Sequence, residues 1–163
     1  MLQEELFSAA PPAIYVRTRM PKPLTMTGRL AALVLACGAL AVLWTAATIV
    51  PAESGMGTHM QLGMQPCGFL QQTGWPCAAC GMTTSFSHFV RGQLLTSFFT
   101  QPFGFVLALL TAAFFWCAAY CGITGRASYR LLKIIPLRAH LWIWIPLAFA
   151  AWFWKIACVA AGR

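Results

Sequence analysis

Between Leu30 and Val50 the chain runs for 21 residues without a charge, and Pro51 closes the run. At 1.5 Å rise per residue such a stretch covers a hydrocarbon core of about 30 Å as one helix. Phe103 to Ile123 repeats the pattern, opened by Pro102 and closed by Gly125 and Arg126, which supplies helix start and stop chemistry. His140 to Val159 forms a third run, with Trp142 and Trp144 towards one end, Trp152 and Trp154 towards the other, and Pro146 as an expected kink. Lys155 interrupts this run near its far end, where the pattern predicts a side chain that snorkels to the interface rather than an intramembrane proton or ion group. Val50-Pro51-Ala52 loosely resembles a signal-peptide cleavage site, but the 29-residue leader and the long apolar run favour an uncleaved anchor.

The polar stretches divide the rest. Residues 1–29, with Pro11, Pro12, Pro21 and Pro23, read as an irregular cytoplasmic tail, 51–102 as an extracytoplasmic loop and 125–139 as a basic cytoplasmic loop. The spans are then residues 30–50, 103–124 and 140–159. Within the long loop, Cys77 to Gln101 is helical in pattern but carries Ser85, His88, Arg91, Gln93, Ser97 and Thr100. A fourth crossing here would bury Arg91 near mid-bilayer, at about 2.5–3.5 kcal/mol, and would set the two basic clusters on opposite sides. Two short helices are expected instead, Cys77 to Arg91 and Gln93 to Thr100, broken at Gly92 and lying at the interface. The fold class is an all-α membrane protein, three transmembrane helices with a short extracytoplasmic, interfacial helical pair.

Composition agrees with a bilayer as solvent. Hydrophobic residues make up 60% of the chain, against roughly 45–50% in soluble domains. Eleven Lys or Arg face only Glu4, Glu5 and Glu53, for a net charge of +8. That excess suggests nucleic acid only until it is located. Arg17, Arg19, Lys22 and Arg29 precede the first run, and Arg126, Arg130, Lys133 and Arg138 fill the loop before the third. This is a topology signal that holds both clusters in the cytoplasm. The expected location is a bacterial inner (plasma) membrane, multi-pass, with the N-terminus inside. The expected partners are the lipid bilayer and other membrane proteins, with no nucleic acid and no predicted cofactor. Phosphate-loop, Ser-His-Asp and paired-carboxylate constellations are missing, so the sequence leans away from an enzyme.

Seven cysteines remain to be explained. Cys37, Cys117, Cys121 and Cys158 lie inside apolar runs, where free Cys behaves as a small hydrophobe. Cys67, Cys77 and Cys80 share the long loop. Trp75-Pro76 leads into Cys77-Ala78-Ala79-Cys80, so Cys77 is expected at a helix N-terminus, where amide groups and the dipole favour thiolate. Three readings stay open. A fixed disulfide from Cys67 to Cys77 or Cys80 ties the loop in an oxidising exterior and needs no partner. A redox site takes Cys77 as attacking thiol, Cys80 as resolving thiol and Cys67 as exchange partner. A metal site takes Cys67, Cys77, Cys80 and His88 for zinc, or these sulfurs with Met56, His59, Met60, Met64 and Met82 nearby for copper(I). Taken singly, His59 and His88 read as ordinary loop and helix residues, and His140 as an interfacial one.

The run Pro66 to Leu110, "PCGFLQQTGWPCAACGMTTSFSHFVRGQLLTSFFTQPFGFVLALL", resembles a family of small bacterial membrane proteins catalogued as a domain of unknown function. Its hallmark is a Cys, a Thr-Gly turn, a Cys-Pro-x-Cys-Gly-x-Thr-Arg motif, a later Gly, and Asn-Pro before a transmembrane helix. Cys67, Thr73, Gly74, Cys77, Cys80, Gly81, Thr83, Gly92 and Pro102 match it, while Ala78, Thr84 and Gln101 stand where the family has Pro, Arg and Asn. The resemblance implies an integral membrane protein with a cysteine-bearing extracytoplasmic helical motif and no established activity. The reading of role is therefore a structural or accessory membrane component with a cysteine-organised loop; thiol-disulfide exchange and copper or zinc binding are its alternatives.

Overall fold

A computed structural model describes residues 23–126 and 137–162. The expectations for the tail containing Arg17, Arg19 and Lys22, for Arg130 and Lys133, and for the side chains of Arg138 and His140 lie outside the described residues. Three long helices, α1 (Met26–Thr48), α5 (Pro102–Thr124) and α6 (Leu137–Ala160), are each apolar enough to cross a membrane. Thr25 caps α1 by accepting a hydrogen bond from the Gly28 amide at 3.2 Å. Pro102 stands in the first turn of α5, where its missing N–H costs nothing, and Gly125, with φ of 69°, ends the helix. Pro146 lies inside α6.

The spans are apolar all round. Val34, Trp44, Trp116 and Ile123 are each about 70% exposed, as suits helices whose solvent is lipid. Where α1 meets α5 the side chains are small: Ala36, Ala39 and Ala46 on one helix, Ala108, Ala118 and Gly122 on the other. Small residues let two helices approach closely in a medium that provides no hydrophobic drive between them. A Cβ on Gly122 would fall 2.7 Å from Leu33 Cγ. At the far end of this pair Arg29 donates to the carbonyls of Gly122 (3.1 Å) and Ile123 (2.8 Å), and the Leu24 amide donates to Gly125 O (2.7 Å). The start of α1 thus meets the end of α5, and the two helices are antiparallel.

Residues 49–101 consequently leave and re-enter the bundle at one end. They hold a 3-10 turn (Thr58–Leu62) and three short helices, α2 (Gly68–Thr73), α3 (Met82–Val90) and α4 (Leu94–Thr100). Helices of nine and seven residues reach about 13 and 10 Å, well short of a bilayer core. Gly92, with φ of 76°, breaks α3 from α4 at the expected place.

Much of the interior of this knot is polar, beside an apolar patch around Phe86. Thr58, Thr84, Ser85, Ser87, Ser97 and Gln101 are at most 1% exposed. Ser85 Oγ lies 2.9 Å from Ser97 Oγ, Ser97 Oγ donates to Ser85 O at 2.7 Å, and Thr58 Oγ1 pairs with Thr84 Oγ1 at 2.7 Å. Arg91, expected simply in the loop, reaches back to the last carbonyls of α1: Ala46, Ala47 and Ile49 (2.8 Å), with Ser87 Oγ as a further partner. An arginine so placed satisfies helix-end acceptors that have no partner within α1.

Candidate metal and thiol centre

Pro76 is fully buried, and its carbonyl accepts from the Trp152 indole N–H at 2.8 Å. From there the chain makes two successive tight turns, with the Cys80 amide donating to Cys77 O (3.0 Å) and the Met82 amide to Ala79 O (3.1 Å). Gly81 then takes φ of 86°, a conformation that favours glycine, and α3 starts at Met82. This corrects the expected start of that helix at Cys77. The two turns use the stretch that a helix would need, so Cys77 is not at a helix N-terminus.

Gln101 is the second support. Its Nε2 donates to Ala78 O at 2.9 Å, fastening the middle of the Cys-x-x-Cys turn to the junction of α4 and α5, and its Oε1 is buried without a partner among the described residues. Neither Trp152 nor Gln101 stood out as a site residue in the sequence. In the sequence Gln101 is one polar residue before Pro102, and Trp152 one aromatic of an expected interfacial belt.

These supports bring Cys77 and Cys80 together with Cys67, which caps the start of α2. The three sulfurs all lie within 4.8 Å of one another, and Cys77 Sγ and Cys80 Sγ are 3.3 Å apart. A disulfide bond is about 2.05 Å long. All three are free thiols here, so the expected disulfide is not found in this structure. Three sulfurs bound to one ion at about 2.3 Å would sit about 4 Å apart, a spacing the present cluster brackets.

Cys67 and Cys80 differ in acidity. Cys67 is lowered from 9.0 to about 7, chiefly by the Leu70 backbone amide near its sulfur, with further help from the Cys77 and Cys80 thiols and opposition from burial. Cys80 is pushed up to about 12 by burial, and the Cys77 side chain adds to the rise. The thiol that its surroundings acidify is thus Cys67, and Cys80 is the one they protect. The reason lies in the backbone: the free amides belong to the first turn of α2, not to the Cys-x-x-Cys segment.

The remaining candidates are placed as follows. His88, proposed as fourth ligand, is not part of the cluster; its Nδ1 lies 2.6 Å from Gln93 Oε1 at the end of α3. Met56, Met60 and His59 line a cavity of about 230 Å³ together with Cys67 and Cys80. His59 Nε2 lies 3.2 Å from Gln65 O, a carbonyl that can only accept, so Nε2 carries the proton. Met64 is exposed, and Met82 faces a different, apolar cavity beside α1. Thr84 is fully buried against Thr58. Lys155 departs from its expected role altogether. It does not snorkel: it is 4% exposed, and Nζ donates to Gly55 O (3.1 Å) and Thr100 O (3.3 Å).

Residues 67–116 are similar to a family described as "Protein of unknown function (DUF2752)". The match begins at Cys67, takes in both remaining cysteines of the cluster and runs through most of α5. No curated protein and no solved structure matches the chain.

Proposed function

We propose that this membrane protein binds a thiophilic metal ion, copper(I) or zinc(II), through Cys67, Cys77 and Cys80. One observation carries the reading: three sulfurs from two separated segments converge to within 4.8 Å without a disulfide between them. Soft d10 cations are the natural occupants of a thiolate triad, and the thioethers of Met56 and Met60 in the adjoining cavity suit copper(I). The basic clusters around Arg29 and Arg126 support a cytoplasmic N-terminus in a bacterial inner membrane, with the thiol knot on the extracytoplasmic face. Purification without chelator, under anaerobic reducing conditions, should yield protein with one equivalent of copper or zinc. Cys67→Ser, Cys77→Ser and Cys80→Ser should each abolish it. Metal-free protein that cannot be loaded, with Cys77 and Cys80 oxidised to each other, would sink the proposal.

A second reading, thiol-disulfide exchange, is favoured by the contrast between Cys67, at about 7, and Cys80, at about 12. Two thiols of the cluster would give two electrons and two protons to a partner disulfide, which is reduced to two thiols while a disulfide forms here. Thiol labelling in defined redox buffers separates the cases, since exchanging pairs lie at about −120 to −270 mV and structural ones below about −300 mV.

A further inference from the structure

Lys155 is unexplained by three thiols and a metal. It enters from α6, half the chain away from Cys80, and ends beneath the Cys-x-x-Cys turn. Cβ atoms built on Gly55 and Gly81 would each fall 3.2 Å from its Nζ, and both glycines have positive φ. Gly81 follows Cys80 directly, and the side chains of Cys158, one turn further along α6, and Cys80 both stand near enough to interact with the amine. Both hydrogen-bond partners of the amine are carbonyls, Gly55 O and Thr100 O, not carboxylates. Glu53 lines the cavity on the other side of Lys155 but is itself exposed. An ammonium buried this far costs several kcal/mol unless an anion compensates it.

We infer that Lys155 is the built-in counter-cation of the thiolate-metal complex, a charge-positioning residue supplied by the third span. This inference rests on the metal reading above. Three thiolates carry −3; zinc(II) leaves the complex at −1 and copper(I) leaves it at −2. The attraction to one ammonium is proportional to that charge, so Lys155 stabilises the copper(I) complex about twice as strongly, in free energy, as the zinc(II) complex. A residue that merely shaped the turn would affect both ions equally. It also follows that α6 is part of the site, through a charge beneath Cys80 as well as through the Trp152 bond to Pro76.

The test is competition of detergent-purified full-length protein against chromophoric chelators, with zinc(II) and with copper(I), in wild type, Lys155→Met, Lys155→Gln and Lys155→Arg. Loss of the charge should weaken zinc(II) by about tenfold and copper(I) by about the square of that factor. Lys155→Arg should stay close to wild type for both. Equal losses for the two ions, or losses under twofold, would overturn the inference while leaving the metal site standing. Wild type that binds neither ion removes the metal reading, and this inference with it. Should both uncharged variants fail to fold even with metal supplied, the amine serves the carbonyls of Gly55 and Thr100, and the inference fails.

Discussion

The α1–α5 pair and the knot above it follow opposite rules of burial. In the pair the buried positions are small, Ala, Gly and Cys121, while Trp44, Trp116 and Ile123 face outwards; in the knot Ser, Thr and Gln are buried beside Pro76, Cys80 and Phe86. Lipid explains the first arrangement, since an apolar side chain gains little by leaving an apolar solvent. The second needs a different account. Backbone that is neither helix nor sheet at a membrane surface leaves N–H and C=O groups unpaired, and short hydroxyl side chains are the smallest devices that satisfy them. Ser87 on Ile49 O, Arg91 on the end of α1 and Gln101 on Ala78 O all do this. The knot is therefore held by directional bonds and should fail at single atoms, whereas the pair should tolerate large changes on its lipid face.

The severest break should come at Gly81. A Cβ there would stand 2.7 Å from Gly55 O and would also have to accept φ of 86°. Gly81→Ala should cost on the order of 2–3 kcal/mol and disorder the thiol site. Thermal unfolding in detergent and loss of metal stoichiometry would report it, and wild-type behaviour in both would refute the close approach of the two segments. Ser85→Ala comes next. It removes a hydroxyl that contacts Ser97 Oγ and donates to Ser97 O, both at 2.9 Å, and should cost about 1–3 kcal/mol by leaving buried groups unpaired. Ser85→Thr would be no rescue, because Gly104 already brings α5 close to the Ser85 side chain.

Acidity offers a subtler test of the same asymmetry. In metal-free protein Cys67 should be alkylated with a midpoint near pH 7 while Cys80 stays protected through pH 9. Peptide mass spectrometry after pulse labelling measures both. The sign follows from linkage. The lowered Cys67 stabilises the fold above its unfolded value of 9.0, and that contribution is lost as pH falls through about 7. The raised Cys80 contributes below 9.0 and loses its effect as pH climbs towards 12. Cys80 reacting before Cys67 would return the attacking role to the Cys-x-x-Cys pair.

What was legible in the sequence divides along the same line as the molecule. Hydrophobic run length marks all three spans, because a bilayer demands apolar length and little else; Pro102 and Gly125 mark the ends of α5, and Gly92 the break between α3 and α4, by backbone chemistry alone. The three cysteines could be grouped because they share one loop. Which of them is activated could not be read, because that depends on the free amides of α2, a six-residue helix with no periodicity to announce it. His88 was drawn in by composition and is held away by Gln93. Lys155 departs from its pattern for a sharper reason: a lysine near a span end ordinarily reaches water, and the approach of Gly55 and Gly81 from far along the chain gives it a buried berth.

The smallest expected effect sharpens the comparison from the other side. Trp116 on α5 is 71% exposed and makes an edge contact with Phe115 alone among aromatic pairs of the described residues. If lipid is its solvent, Trp116→Leu exchanges one apolar surface for another and should move stability by no more than about 0.5 kcal/mol. Val34→Ala on α1, likewise about 70% exposed, should behave the same way. Measured in lipid nanodiscs, losses above 1 kcal/mol at both positions would mean that this face is covered by protein instead. The pair would then be one side of an interface, and its tolerance would be a property of the isolated chain.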